Sequence, residues 1–402
     1  MRLVSVKTGD SAPRAPERLR LESLRLATRF SIGLVVLCAC GARSQLDGAG
    51  VADAAPLDVA SGTRRPIAIA ASAYDTTVML SDGTVERWGL EDVRTTNVLA
   101  VDPVPTPVAR VHSAVAIATG GDTDFGPTHG CASLGDGTVA CWGGNHSGEL
   151  GDGTTTDSSA AVTVTGVTGA TGVAAGSGHS CALLAGGNIE CWGDNSFGQL
   201  GNGTLTNSTT PVDVLGITGA TAISAGGAHT CALLAGGTVD CWGENGDGTN
   251  VTELPTPVPG LSNITSISAG TENICVLRDV GTVTCWMASD VNDFAVTTTP
   301  TDAPGVSQVL TVATGADFAC AVSSEQTVSC WGDNGSGQAG NGTIGGIASP
   351  STIQGLVDVR AVAAGVAHGC ALLGNGEVDC WGSVATADAG LAPTAIPVPV
   401  PF

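Results

Sequence analysis

The chain has 402 residues; 58 are Gly and 19 are Pro, 43% are hydrophobic and 13% charged. That apolar fraction supports a buried core and excludes wholesale disorder, and the Gly and Pro show no collagen-like period. A formal net charge of −22 disfavours contact with phosphate backbones, and no run of 18 apolar residues offers a membrane-spanning helix.

Residues 1–39 read as an export signal. Arg2, Lys7, Arg14, Arg18, Arg20, Arg25 and Arg29 precede an apolar run from Phe30 to Ala39, too short to span a bilayer. The run ends Leu37-Cys38-Ala39-Cys40, which resembles a bacterial lipoprotein box with Cys40 as the lipidated residue. Cys38 departs mildly from that box, and a plain secretory signal is the alternative. Gly41, where an Asp would resemble an inner-membrane retention signal, points to the outer membrane or cell surface. Without lipid, the expected location is periplasmic or extracellular. Residues 40–65 are small, polar and aperiodic, and read as a flexible tether. Removal of residues 1–39 leaves 8 basic against 34 acidic residues, a formal charge of −26, so no nucleic-acid partner is expected.

The rest of the chain, 66–402, is a repeat. Trp88, Trp142, Trp192, Trp242, Trp286, Trp331 and Trp381 stand 54, 50, 50, 44, 45 and 50 residues apart. Each sits in one local pattern, as in "VAAGSGHSCALLAGGNIECWGDNS" from Val173 and "ISAGGAHTCALLAGGTVDCWGENG" from Ile223. Short runs rich in Val, Ile and Thr, bounded by Gly and Pro, are strand signals, and no helical period is sustained. Four strands per unit in seven units predict an all-β, seven-bladed propeller. A "TPV-x-V" segment such as Thr210–Val214 precedes most units but not the first. The tail from Ala392 to Phe402 supplies an orphan segment of that kind. The expectation is that this strand closes the ring by joining the blade that carries Trp88.

The stretches Gly176–Gly203, Gly226–Gly243 and Gly365–Gly382 resemble the repeats of the regulator of chromosome condensation family over about residues 67–402. The resemblance implies the propeller fold. It does not fix function, because the family includes exchange factors, photoreceptors and secreted inhibitors.

Twelve cysteines form six pairs, each ten apart: Cys131/Cys141, Cys181/Cys191, Cys231/Cys241, Cys275/Cys285, Cys320/Cys330 and Cys370/Cys380. The first unit lacks both members together, with Thr77 and Arg87 in their places. A three-residue hairpin loop with a left-handed Gly at its third position (Gly137, Gly187, Gly237, Gly281, Gly376) would set the two cysteines opposite each other. They would then form a non-hydrogen-bonded pair, with Cα atoms about 4.5 Å apart. Disulfides are the reading favoured for an exported chain. Zinc is the rival, since His129, His179, His229 and His368 each stand two residues before a cysteine. Asn273 and Phe318 occupy that place in units that keep both cysteines, which argues against a metal site.

No other motif announces chemistry. Gly-rich loops from Gly143, Gly193 and Gly332 hold Asp and Asn that calcium could use, but Asx-turns and tight bends explain them. One tryptophan per unit at one position is a packing pattern. No hydrolase, kinase or oxidoreductase motif appears, so neither enzyme activity nor a cofactor is expected. Irregular loops on the ring are the expected binding elements, with Phe125, Phe197 and Phe294 as candidate anchors. The functional expectation is a monomeric, surface-anchored scaffold that binds a protein or an envelope component. A secreted inhibitor of a hydrolase is the alternative, and nucleotide exchange follows from the family resemblance alone.

Overall fold

The structure is a computed structural model that describes residues 64–73, 75–93, 98–121, 128–244, 251–287, 299–386 and 390–402. The signal, Cys40, tether residues 40–63, Phe125 and Phe294 lie outside the described residues. Seven four-stranded antiparallel sheets follow one another along the chain, each a simple meander. Blade 3 serves as the type: Ala170–Ala175, His179–Leu184, Ile189–Gly193 and Ser208–Asp213. Blades 1, 2, 4, 5, 6 and 7 begin at Pro66, Ala114, Ala220, Ile264, Val309 and Val359.

The sequence explains this repetition locally. The second and third strands of blade 3 are joined by residues 185–188, with Gly187 at φ 83° donating its N–H to Leu184 O at 2.9 Å. A side chain at Gly187 would be strained by that φ and would strike the backbone of Gly219 in the next blade. The innermost strand of every blade skips one residue in its pairing: Ile67, Val115, Thr171, Thr221, Thr265, Leu310 and Arg360. Such a bulge raises local twist where seven strands crowd around one axis. The outermost strand is irregular too, and Pro211, Pro255, Pro350 and Pro397 fall within the irregular stretch. Pro has no N–H for a ladder, so the "TPV-x-V" segments are suited to an edge.

That placement corrects the expected phase of the repeat. Each "TPV-x-V" segment is the fourth strand of the preceding blade: Ser208–Asp213 completes the sheet of Trp192. The C-terminal strand Gly390–Pro399 likewise pairs with Val378–Thr386 in the blade of Trp381, not in the blade of Trp88. Blade 1 has a fourth strand of its own, Val98–Pro107. The C-terminal strand still helps to close the ring, by packing against blade 1 and not by joining its sheet. The innermost strand of blade 1 lies on the first two strands of blade 7, and Phe402 sets its ring edge-on to Trp88 with centroids 5.6 Å apart.

The core sits between blades. Trp142, Trp192, Trp242 and Trp381 are its largest fully buried side chains. Around the axis, turns between first and second strands bond across blades: Gly121 N–H to Gly176 O at 2.9 Å and Ser177 N–H to Gly226 O at 3.1 Å. Ala73, Ala316 and Val366 from blades 1, 6 and 7 pack together there.

Candidate functional site

Cross-strand cysteines face one another in all six blades that carry them. Cys131 stands opposite Cys141, Cys181 opposite Cys191 and Cys231 opposite Cys241. In the later blades Cys275 stands opposite Cys285, Cys320 opposite Cys330 and Cys370 opposite Cys380. Leu184 and Asn188 form the bonded pair beside the turn, so strand alternation makes Cys181–Cys191 a non-hydrogen-bonded pair. All six pairs stand at disulfide distance. The Cα atoms are 4.1 Å apart in Cys131–Cys141, Cys231–Cys241, Cys275–Cys285 and Cys320–Cys330. They are 4.0 Å apart in Cys181–Cys191 and Cys370–Cys380. These values correct the spacing of about 4.5 Å expected for a non-hydrogen-bonded pair: the strands come closer at every cysteine pair. The pairs also differ in burial. Cys141, Cys191, Cys330 and Cys380 are buried with their partners, whereas Cys241 and Cys285 are only partly buried.

Three of the four repeated histidines bridge blades. His129 Nε2 lies 3.0 Å from Ser180 Oγ, His179 Nε2 2.8 Å from Thr230 Oγ1, and His368 Nε2 3.0 Å from Thr76 Oγ1. Burial pushes the imidazoles of His129, His229 and His368 down to about 4 and that of His179 to about 3, so all are neutral near pH 7. Ser180 and Thr230 donate their hydroxyl protons onward, at 2.9 Å to Glu149 O and 3.0 Å to Gln199 O. His129 and His179 must therefore donate from Nε2 to the hydroxyl.

Those carbonyls belong to the Gly-rich loop of the preceding blade, and they also receive the tryptophans. Trp192 Nε1 donates to Glu149 O at 2.8 Å, Trp242 Nε1 to Gln199 O at 2.9 Å and Trp381 Nε1 to Gln338 O at 2.8 Å. Gly201 follows at φ 65°, and a Cβ there would stand 2.7 Å from Trp242 Nε1. The Gly-rich loop is thus a clamp laid across the blade junction.

Its polar side chains are occupied in shaping it. Buried Asn195 donates Nδ2 to Thr204 O at 2.8 Å and Thr206 O at 3.1 Å, and accepts Leu200 N–H at 3.0 Å. Gln199 Oε1 accepts Phe197 N–H at 2.9 Å while its Nε2 donates to Asp194 at 2.7 Å. Gln338 and Asp333 repeat that bond at 2.7 Å. Blade 2 has Glu149 at the Gln position and Gly144 at the Asp position, which avoids two facing carboxylates. These groups serve the loop's own backbone, the arrangement expected of Asx-turns and not of a calcium cage. Phe197, the one described anchor candidate, is half-buried in this loop.

Other titratable groups lie at the same end of the blades. Burial and the Asp333 carboxylate push Asp317 up to about 6, and burial raises Glu149. No three of the described His, Cys, Asp and Glu residues cluster as metal ligands.

The two faces differ. Hairpins between second and third strands span four residues in every blade, as at 81–84, 185–188 and 374–377. On the opposite face the connections between third and fourth strands run from three residues (387–389) to 14 (144–157 and 194–207). The described part of that face carries Asp152, Asp157 and Glu253, and no Lys or Arg among the described residues.

Family models described as "Regulator of chromosome condensation (RCC1) repeat" match residues 187–233 and residues 170–199, 220–249, 309–338 and 359–383. These stretches carry repeats of the RCC1 family. No curated protein matches it in sequence. Among solved structures, Prp20p from Saccharomyces cerevisiae is similar at TM-score 0.64 and 20% identity, covering 85% of this chain and 87% of its own. Human WBSCR16 is similar at TM-score 0.62 and 21% identity, covering 75% and 86%. A complex of Kap60 with yeast RCC1 (Prp20) gives TM-score 0.62 and 21% identity, covering 75% and 79%. These likenesses confirm the seven-bladed propeller fold.

The bridging role of His129, His179 and His368 was not legible from any one repeat. A signal for it lies in register: each of these histidines meets a unit whose next position holds a hydroxyl, namely Ser180, Thr230 and Thr76.

Proposed function

We propose that this RCC1-repeat propeller is an exported, non-catalytic interaction module, held at the cell surface by a lipid on Cys40 and the tether of residues 41–65. The observation that carries the interaction reading is the contrast between faces: constant four-residue hairpins on one, connections of three to 14 residues on the other. A rigid ring with variable loops on one side is how scaffolds present binding surfaces. The acidic residues of that face suit a partner with a basic surface. The binding of yeast Prp20p to Gsp1p and histones supports a protein as the partner. Six cysteine pairs at disulfide distance fit an oxidising compartment, which supports export.

Cross-linking on intact cells tests both parts. A tagged chain should incorporate labelled fatty acid through Cys40, lose it in Cys40→Ala, and yield a protein adduct that disappears when the loop 194–207 is replaced by a short Gly-Ser turn. Failure to form any protein adduct would refute the interaction reading; label retained in Cys40→Ala would refute the anchor.

A further inference from the structure

Blades 2, 3 and 6 each lay a loop carbonyl on the tryptophan of the next blade. Among the described residues, blade 7 shows no such loop. Its third and fourth strands instead continue as a paired ribbon out to Thr386 and Gly390. Blade 1 nevertheless retains the receiving set. His368 Nε2 meets Thr76 Oγ1 at 3.0 Å, and Thr76 is paired with Trp88 across the ladder. Between them opens a slot lined by Thr76, Trp88, Gly89, His368, Ser383 and Val384, partly open to solvent, with a volume of about 10 Å³ that admits a single water-sized group such as one carbonyl oxygen.

The chemistry of the slot follows from the occupied junctions. His368 Nε2 pairs with Thr76 as its counterparts pair with Ser180 and Thr230, and in the tautomer those counterparts adopt the Thr76 hydroxyl proton is directed elsewhere. The other neighbour in reach is the Cys370 sulfur at 3.7 Å, a weak acceptor. At the equivalent places Ser180 with Trp192, and Thr230 with Trp242, converge on one peptide oxygen. Among the described residues, no carbonyl takes that place between Thr76 and Trp88. Of the four junctions without a described clamp, the others offer Gly130, Ile274 and Ala319 where Thr76 stands, so the paired hydroxyl and indole donors belong to this junction.

We infer that this slot is a peptide-binding site: it takes a glycine-containing loop of a partner protein, whose backbone carbonyl accepts from Trp88 Nε1–H and Thr76 Oγ1–H as Gln199 O does from Trp242 and Thr230. This rests on the interaction reading above and places its anchor point at the junction of the first and last blades. An apolar residue after the carbonyl, like fully buried Leu200, and a glycine after that, like Gly201, complete the motif.

The test uses the full chain carrying Cys40→Ser and a synthetic peptide spanning Asn195–Thr204. In ¹H–¹⁵N spectra of the indoles, with the Trp88 signal assigned by Trp88→Phe, the peptide should shift Trp88 and a scrambled peptide should not. Thr76→Val should weaken that shift at least about tenfold, the loss expected for one well-made hydrogen bond. A Trp88 signal unmoved at millimolar peptide overturns the inference. So does a Trp88 indole proton that exchanges as slowly as that of Trp192 before peptide is added, since the chain itself would then fill the slot. A second variant replaces residues 383–394 with the sequence of residues 333–348. If folded, it should melt higher and lose the peptide response. Wild-type capture of a partner that this folded graft still captures would overturn the slot while leaving the interaction reading standing. A wild-type chain that captures nothing would sink that reading, and the peptide titration would still decide the slot.

Discussion

Acid should loosen the ring, and the buried histidines set the size of the effect. His129, His229 and His368 are held at about 4 and His179 at about 3 by burial, against 6.5 for a free imidazole. A folded value below the unfolded one gives stability that is present above pH 6.5 and lost as pH falls toward 4. Between pH 7 and pH 5 each unfolded imidazole gains about 0.7 of a proton that the folded one refuses, which costs about 2 kcal/mol. The four together cost roughly 7 kcal/mol. Asp317 works the other way. Held up to about 6 against a free value of 3.8, it takes a proton in the folded state first and returns about 1 kcal/mol over the same range. These five groups together give a loss of roughly 6 kcal/mol on going from pH 7 to pH 5, with about three protons taken up by them on unfolding at pH 5, and the raised Glu149 works in the same direction as Asp317. Guanidinium unfolding at the two pH values measures the first, and calorimetry in buffers of different ionisation enthalpy measures the second. Equal stability at both pH values would refute the reasoning, as would a resonance of any of these four imidazoles titrating near 6.5 in the folded protein.

Three further outcomes follow from the same contacts. The double substitution Cys181→Ser with Cys191→Ser should cost about 2–3 kcal/mol, the value for a closed loop of roughly ten residues, read by chemical denaturation; no loss would show that this pair carries no bond. Gln338→Glu should cost about 1–3 kcal/mol by facing Asp333 with a second carboxylate, and adding Asp333→Gly should restore most of it, as in blade 2. Simple additivity of the two changes would remove the explanation for Glu149 and Gly144. Phe402→Ala should cost about 1 kcal/mol through its lost edge-on contact with Trp88, and an unchanged melting temperature would mean that this contact plays no part in closure.

The fold was legible because its signals are local and repeated seven times. Hairpin length, the left-handed Gly187 and its equivalents, and the ten-residue Cys spacing each fix geometry within one or two turns of chain, so they survive reading in one dimension. The phase of the repeat was not legible. A strand such as Ser208–Asp213 lies in sequence between two units, and nothing local says which sheet it completes; pairing with Ile189–Gly193 decides it. Assigning those segments to the following unit also misplaced the C-terminal strand.

The candidate site divides the same way. Sequence alone determined the seven-part architecture, the facing cysteines and the scarcity of positive charge, because composition and short spacing suffice for those. Only the tertiary structure decided what the histidines and Gly-rich loops do. Their partners, such as Ser180 for His129 and Gln199 O for Trp242, sit 51 and 43 residues away on a neighbouring sheet. A hydrogen bond across a blade junction depends on how two sheets are rotated against each other, and that angle is set by the closed ring, not by any single repeat.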